Sequence, residues 1–210
     1  MKKIWLALIA LTMAFGATTA SAANYTEGKQ YTQLKETVQN LPEVLEFFSF
    51  YCPHCYQFEN VYKIPQTVEQ NLPSGVKMER YHVDFLGPLG PELTKAWAVA
   101  IVLNAEAKVT PILFDGIQKT QSIRTTDDIR NAFVKAGISA EEYDAALNSF
   151  VVKSLVAKQQ DAAKNLKLRG VPAIYVDGKY QINNAGINVD DPNNYAKEFS
   201  NVINSLVTQK

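Results

Sequence analysis

The sequence predicts an α/β fold, a central sheet flanked by helices and interrupted by an all-helical block. Three observations carry that prediction. A strand–helix–strand succession occupies residues 44–85. About 80 residues of helical patterning follow, with helix-start and helix-stop signals but no strand-like alternation. Strand patterning then returns as a hairpin, before a final amphipathic helix.

The chain of 210 residues opens with Lys2 and Lys3, an apolar run from Ile4 to Ala17, and the small residues Ala20-Ser21-Ala22. That order is expected of a secretory signal peptide cut after Ala22. The run is too short to span a bilayer comfortably, and the tail Leu206–Lys210 carries no retention signal. The mature chain is therefore expected to be exported and soluble. Next, Val44–Tyr51 is nearly continuously apolar, as in a strand buried on both faces. From Tyr56 to about Asn71 the pattern is helical, and Val76–Phe85 alternates as a second strand. A β–α–β unit of this length makes the two strands parallel.

The helical block begins at Pro91, which suits a first helical turn, and its first helix runs to about Asn104. Thr125 or Thr126 is expected to cap a second helix that stops at Gly137. Ser139 and Glu142 have capping-box spacing for a third, and a fourth spans about Val151–Leu168 with Gly170 as terminator. Asp177-Gly178 between Val171–Val176 and Lys179–Ile182 is a strong hairpin signal. Finally Asp191-Pro192 reads as a helix start, and Tyr195, Phe199, Val202, Ile203 and Leu206 form one apolar face. The expected division is 1–22 leader, 23–86 and 169–210 sheet domain, and 87–168 inserted helical domain.

Lysine plus arginine equal aspartate plus glutamate at 21 each, and loss of the leader removes two lysines. A net charge of about −2 leaves no electrostatic footprint for nucleic acid or an anionic membrane. The mature length buries a sizeable core without cross-links, so the two cysteines, Cys52 and Cys55, need an explanation other than stability. A structural bridge closing so short a loop would add only about 2 kcal/mol. A zinc site needs about four ligands; Cys52, Cys55, His54 and His82 are the whole supply of soft ligands, and His54 lies between the cysteines, poorly directed to share their metal. A redox dithiol fits better. Cys52 precedes the helix and faces its unpaired N–H groups and the positive end of its dipole, which favour a thiolate. Pro53 suits the first turn, and His54 adds a donor or a positive charge. Cys55, one turn further in, is shielded. Each unit by which the Cys52 pKa falls below ambient pH favours the dithiol by about 1.4 kcal/mol, or about 30 mV toward a stronger oxidant.

Cys-Pro-His-Cys after "LEFFSF", with "RGVPA" downstream, resembles the thioredoxin superfamily. The stretches "GKQYTQL", Phe50–Glu59, "LTKAWAVA", "FVVKSLVA", "LRGVPA" and "GKYQ" resemble its DsbA family of bacterial thiol:disulfide interchange proteins over nearly the whole chain. The resemblance implies a thioredoxin-like fold with a central mixed sheet, and a periplasmic oxidase that passes its Cys52–Cys55 disulfide to newly exported, reduced and unfolded proteins. It implies no bound cofactor or metal, and reoxidation by an inner-membrane, quinone-linked DsbB-like partner. Cys52 becomes the sulfur of the mixed disulfide, Cys55 the buried resolving thiol, and Pro53-His54 the tuning dipeptide. Pro172 matches the family's cis-proline, and the backbone of Val171 before it is expected to pair with an extended substrate.

Glu46 interrupts the apolar strand on the side of Phe48 and Phe50. Buried there, it should have a raised pKa and could exchange a proton with Cys55, or be satisfied by a neighbouring cation. The family usually offers a lysine on the adjacent strand; this chain has Arg80, which stays charged and cannot transfer a proton. Glu59 is expected to be a solvated charge, His82 a satisfied structural histidine, and Trp97, Phe47, Phe48 and Phe50 packing residues. Two rivals keep the dithiol or dispense with it: an isomerase or reductase, which usually dimerises through an added domain absent from the short lead-in here, and a non-redox binding module or metal carrier. A monomer is expected.

Overall fold

The computed structural model describes residues 25–187, 191 and 194–209; the expected leader lies outside them. Its strands are β1 (Tyr31–Gln33), β2 (Val44–Phe48), β3 (Met78–His82), β4 (Ala173–Val176) and β5 (Tyr180–Ile182), forming one sheet in the order β1-β5-β4-β2-β3. The β2–β3 pair is parallel, as the crossover requires, and sets Glu46 beside Arg80. The other pairings are antiparallel. All five residues of β2 are buried, as expected of a central strand covered on both faces.

After β2, helix α1 (Pro53–Tyr56) continues through a π-helical turn at Gln57–Val61. The chain then breaks, with Lys63 at φ 56°, before α2 (Ile64–Asn71). One continuous helix was expected here. Pro65, which has no N–H to give the preceding turn and sits in the first turn of α2, marks the break, and Lys63 is held there in a left-handed conformation it does not favour locally. Between β3 and β4 come α3 (Gly90–Val102), α4 (Glu106–Phe114), α5 (Thr126–Lys135), α6 (Ala140–Asn148) and α7 (Phe150–Asn165), with a second π-helical turn, Asp115–Lys119, after α4. The last helix is α8 (Tyr195–Val207). None of these helices is long and apolar enough to cross a membrane among the described residues.

Local signals act as the sequence suggests in most places. Asp177 and Gly178 take φ 52° and 59°, the pair of positive φ values of a type I′ hairpin turn, and a Cβ on Gly178 would collide with the Val38 carbonyl. Pro91 sits in the first turn of α3. The reciprocal capping box, however, closes at Thr125 and Asp128; Ser139 accepts the Glu142 N–H without the return bond from that side chain. Helix α7 ends three residues early, because Lys167 at φ 51° takes the left-handed position expected of Gly170, and the Leu168 N–H closes on the Ala163 carbonyl. Helix α8 is described from Tyr195; the expected start at Asp191-Pro192 lies partly outside the described residues. Strand β1 and helix α4 were not expected: β1 is short and mostly exposed, and α4 contains Pro111, which argues against a helix interior when only local preference is weighed.

Three apolar clusters pack on the sheet: the smallest joins Leu45, Phe47, Tyr81 and Tyr175 to Ala162 and Leu166, and two are larger. One joins β2, β4 and β5 to α2 and α8, where Phe199, Val202, Ile203 and Leu206 are essentially inaccessible. The other joins Phe48, Phe50, Cys52 and Cys55 to the helical block through Leu93, Trp97, Leu113 and Phe114. The dithiol therefore lies on the seam between the sheet and the inserted helices. Each large side chain buried there contributes about 1.5–3 kcal/mol.

Candidate active site

The chain leaves β2 through a tight turn. The Cys52 N–H donates to the Ser49 carbonyl at 3.0 Å, and the Tyr51 N–H donates to Ser49 Oγ at 3.1 Å. This turn places Cys52 at the cap position of α1, extended at φ −84°, with Pro53 in the first turn. The Cys52 sulfur takes the place of a capping oxygen and accepts the Cys55 N–H at 3.2 Å. Cys52 is 6% exposed and Cys55 2%; both are free thiols here.

The two sulfurs ionise in opposite directions. The Cys52 pKa is lowered from 9.0 to about 7, chiefly by the Cys55 thiol, against a desolvation that raises it, with the backbone N–H groups of Cys55 and His54 and the His54 charge helping. Burial pushes Cys55 far above the ordinary thiol range, and the neighbouring Cys52 sulfur and the charge of Glu46 push it further. The thiolate of this pair belongs on Cys52.

His54 is exposed, its Nδ1 3.4 Å from Gln57 Oε1, so its help to Cys52 comes through its N–H and charge rather than a ring hydrogen bond. Across the sulfur, the Val171–Pro172 bond is cis. The Cys52 thiol donates to the Val171 carbonyl at 3.3 Å. Val171 and Pro172, with His54, Phe58, Tyr62 and Tyr195, line a groove of about 650 Å³. Asn184, also on the groove, donates from Nδ2 to the Pro172 carbonyl at 2.8 Å.

Beneath the dithiol, Glu46 is 1% exposed and accepts Arg80 Nε at 2.6 Å. Arg80 also pairs through Nη2 with Glu59 at 2.8 Å. Glu59 is thus no solvated charge: it is buried and accepts a second hydrogen bond from Gln66. One cation shared between two carboxylates cannot fully compensate both. Burial therefore raises the pKa of Glu46, the deeper one, although Arg80 pulls it down. The guanidinium lies 4.7 Å from the Phe48 ring centre and 5.7 Å from that of Trp97, and Trp97 Nε1 donates to the Arg80 carbonyl at 2.7 Å.

His82 holds the strand end that leads to the turn. Its Nε2 accepts the Phe50 N–H at 3.2 Å, so the proton sits on Nδ1, which donates to Thr94 Oγ1 at 2.9 Å, and Thr94 donates to the Gly90 carbonyl. Burial lowers its pKa from 6.5 to about 3. An unfolded chain takes up this proton below about pH 6.5 while the folded one refuses it until about pH 3. The stabilisation is therefore whole above pH 6.5 and drains away in acid, by about 1.4 kcal/mol per pH unit over that window. Urea unfolding of the wild type and of His82→Gln at pH 7 and pH 5 should show a smaller acid loss in the variant; equal losses would rule out His82 as the source.

The motif brought Cys52, Pro53, His54 and Cys55 together as expected, and the sheet brought Glu46, Val171 and Pro172 to them. Glu59, Asn184 and Gln118 were missed. Gln118, from the π-turn after α4, donates to the carbonyls of Phe50 at 2.7 Å and Cys52 at 3.0 Å. Each is a polar residue whose partner is distant in sequence, and no local pattern marks it.

A family model described as "DSBA-like thioredoxin domain" matches residues 43–200. A thiol:disulfide interchange protein DsbA from Yersinia pestis is 60% identical over 210 residues, covering all of both chains. The crystal structure of the disulfide oxidoreductase DsbA from Proteus mirabilis is 59% identical with a TM-score of 0.87, covering 90% of this chain and 100% of that one. A complex of the Proteus protein with a non-covalently bound peptide matches at 58% identity with the same TM-score, covering 89% of this chain and 100% of that one.

Proposed function

Because the chain belongs to the DsbA-like thioredoxin family and is a thiol:disulfide oxidoreductase, we propose that it works as a periplasmic oxidase, donating a Cys52–Cys55 disulfide to newly exported proteins. The observation that carries this reading is the split between the two sulfurs, Cys52 brought down to about pKa 7, chiefly by the Cys55 thiol with the N–H groups of α1 helping, and Cys55 forced upward by burial. Lowering the Cys52 pKa from 9.0 to about 7 favours the dithiol over its disulfide and so moves the pair toward giving that disulfide away.

A substrate thiolate attacks the Cys52 sulfur and the S–S bond breaks. The electron pair passes to Cys55, which takes up a proton because its thiol is the weaker acid. Glu46, with its raised pKa, is the buried acid able to exchange that proton with Cys55; Arg80 orients it and remains a fixed charge. A second substrate thiolate then attacks the substrate sulfur of the mixed disulfide, and Cys52 departs as thiolate. The substrate has lost two electrons as a disulfide and the protein has gained them as a dithiol. Val171 and cis-Pro172 border the groove in which an extended chain would lie, and a relative is known with a peptide bound non-covalently. The leader-like residues 1–22 support export, and the family supports reoxidation by a quinone-linked inner-membrane partner of the DsbB kind.

The test is direct. Purified, oxidised protein, mixed with a reduced unfolded protein, should oxidise it mole for mole and finish as the dithiol. Cys52 and Cys55 recovered from cells should be mostly oxidised. A mostly reduced pair in cells would favour the isomerase or reductase role instead.

A further inference from the structure

Helix α4 does not stop at Phe114. It runs into the π-turn Asp115–Lys119, where the Thr120 N–H reaches back five residues to the Asp115 carbonyl at 2.9 Å. A π-turn inserts a residue and so rotates the side chains after it. Here the side chains of three of its five residues meet the dithiol segment. Gln118 Nε2 gives its two hydrogens to the carbonyls of Phe50 and Cys52. Asp115 accepts the Tyr56 hydroxyl at 3.2 Å. Lys119 pairs with Asp115 at 3.1 Å and lies 5.1 Å from the centre of the Tyr56 ring.

Gln118 grips both ends of the turn that delivers Cys52. The Cys52 carbonyl also accepts the Tyr56 N–H at 3.0 Å, so a single oxygen joins the first bond of α1 to the helical block. The sulfur of the same residue accepts the Cys55 N–H at 3.2 Å, one of the contacts that favour its anion. We propose that Gln118 is a positioning residue for the dithiol: by fixing the Phe50 and Cys52 carbonyls from across the seam, it keeps the Cys52 sulfur aligned with the N–H groups of α1 that favour its charged form. The inserted block thereby sets the redox balance of a motif it does not contain. This rests on the oxidoreductase role of Cys52 and Cys55 but not on the direction in which they pass electrons.

Gln118→Met keeps the length and volume of the side chain and removes both donors. The thiolate absorbance of reduced Cys52 is titrated, and the protein is equilibrated with glutathione, for wild type, Gln118→Met and Gln118→Lys. The other titratable groups facing the sulfur, namely His54, Cys55 and Glu46, are the same in all three. The Met variant should ionise about half a unit to one unit higher, a roughly 3- to 10-fold change in thiolate equilibrium, with a matching loss of oxidising strength against glutathione. The Lys variant, which restores a donor, should stay near or below the wild-type value. If the Met variant titrates and equilibrates as wild type does, the inference is overturned, even if its melting temperature falls. If wild-type Cys52 itself ionises only in the ordinary thiol range, it is the oxidase reading that fails.

Discussion

Replacing Cys55 by alanine is expected to abolish oxidation of substrate proteins and to move the Cys52 pKa from about 7 back toward 9. The first effect follows from bookkeeping of bonds: with no second sulfur there is no disulfide to donate. The second follows from what lowers Cys52, since the Cys55 thiol is the largest influence and its removal leaves the backbone N–H groups and the His54 charge to oppose desolvation. At neutral pH that is a roughly 10- to 100-fold drop in the thiolate-to-thiol ratio for a shift of one to two units. Absorbance titration of the reduced variant measures it. A variant that keeps the wild-type pKa would place the stabilisation in the helix start alone. Cys52→Ser makes the contrast: it too should lose all oxidase activity, but it leaves only the buried sulfur, which should resist alkylation at neutral pH.

Arg80→Met should be the most destabilising single change in the molecule outside the packing core. It leaves Glu46 and Glu59 beside each other without a cation, Glu46 at 1% exposure. Removing one partner of a buried ion pair typically costs 3–5 kcal/mol, because the remaining charge cannot be solvated. For a domain of this size that is a fall in melting temperature of roughly 6–20 °C. Methionine fills similar space beside Phe48 and Trp97, so the loss reports charge rather than a cavity. The deficit should also shrink as pH falls, because protonation of the stranded carboxyls relieves it: the folded state of the variant binds protons more tightly than the unfolded chain, so its stability is whole below the unfolded carboxylate range and drops as pH rises from there through the raised folded pKa. Adding Glu46→Gln should recover a large part of the loss at pH 7. A double variant no more stable than Arg80→Met would show that the guanidinium contributes through its stacking on Phe48 and Trp97 and not through the carboxylates.

The same cluster shows where sequence reasoning stopped. Glu46 drew attention because it breaks an apolar strand, and parallel pairing with β3 then made Arg80 its natural neighbour. Glu59 gave no such signal. It stands between Phe58 and Asn60 in a helical stretch of mixed polarity, where nothing local turns it inward. It is buried because the π-helical turn Gln57–Val61 and the break at Lys63 carry that face over Arg80. A π-turn has no residue signature comparable to a capping box, so the 3.6-residue pattern gives the wrong face after it. Gln118 escaped for the same reason on the other side of the seam.

What the residues determine alone is whatever short-range geometry governs. Cys-Pro-His-Cys after a buried strand sets a sulfur at a helix start, because Pro53 suits only the first turn and the end of an apolar run marks where the strand stops. Asp177-Gly178 sets a hairpin, because both positions must take positive φ. Tertiary packing alone decided which helical faces turn inward beyond each π-turn, that Lys63 and Lys167 rather than glycines take the left-handed positions, and that one guanidinium serves two carboxylates. Those outcomes trade a local cost of about 1–2 kcal/mol in backbone conformation against burial and pairing with residues tens of positions away, and that balance exists only once the sheet and the inserted helices have closed on each other.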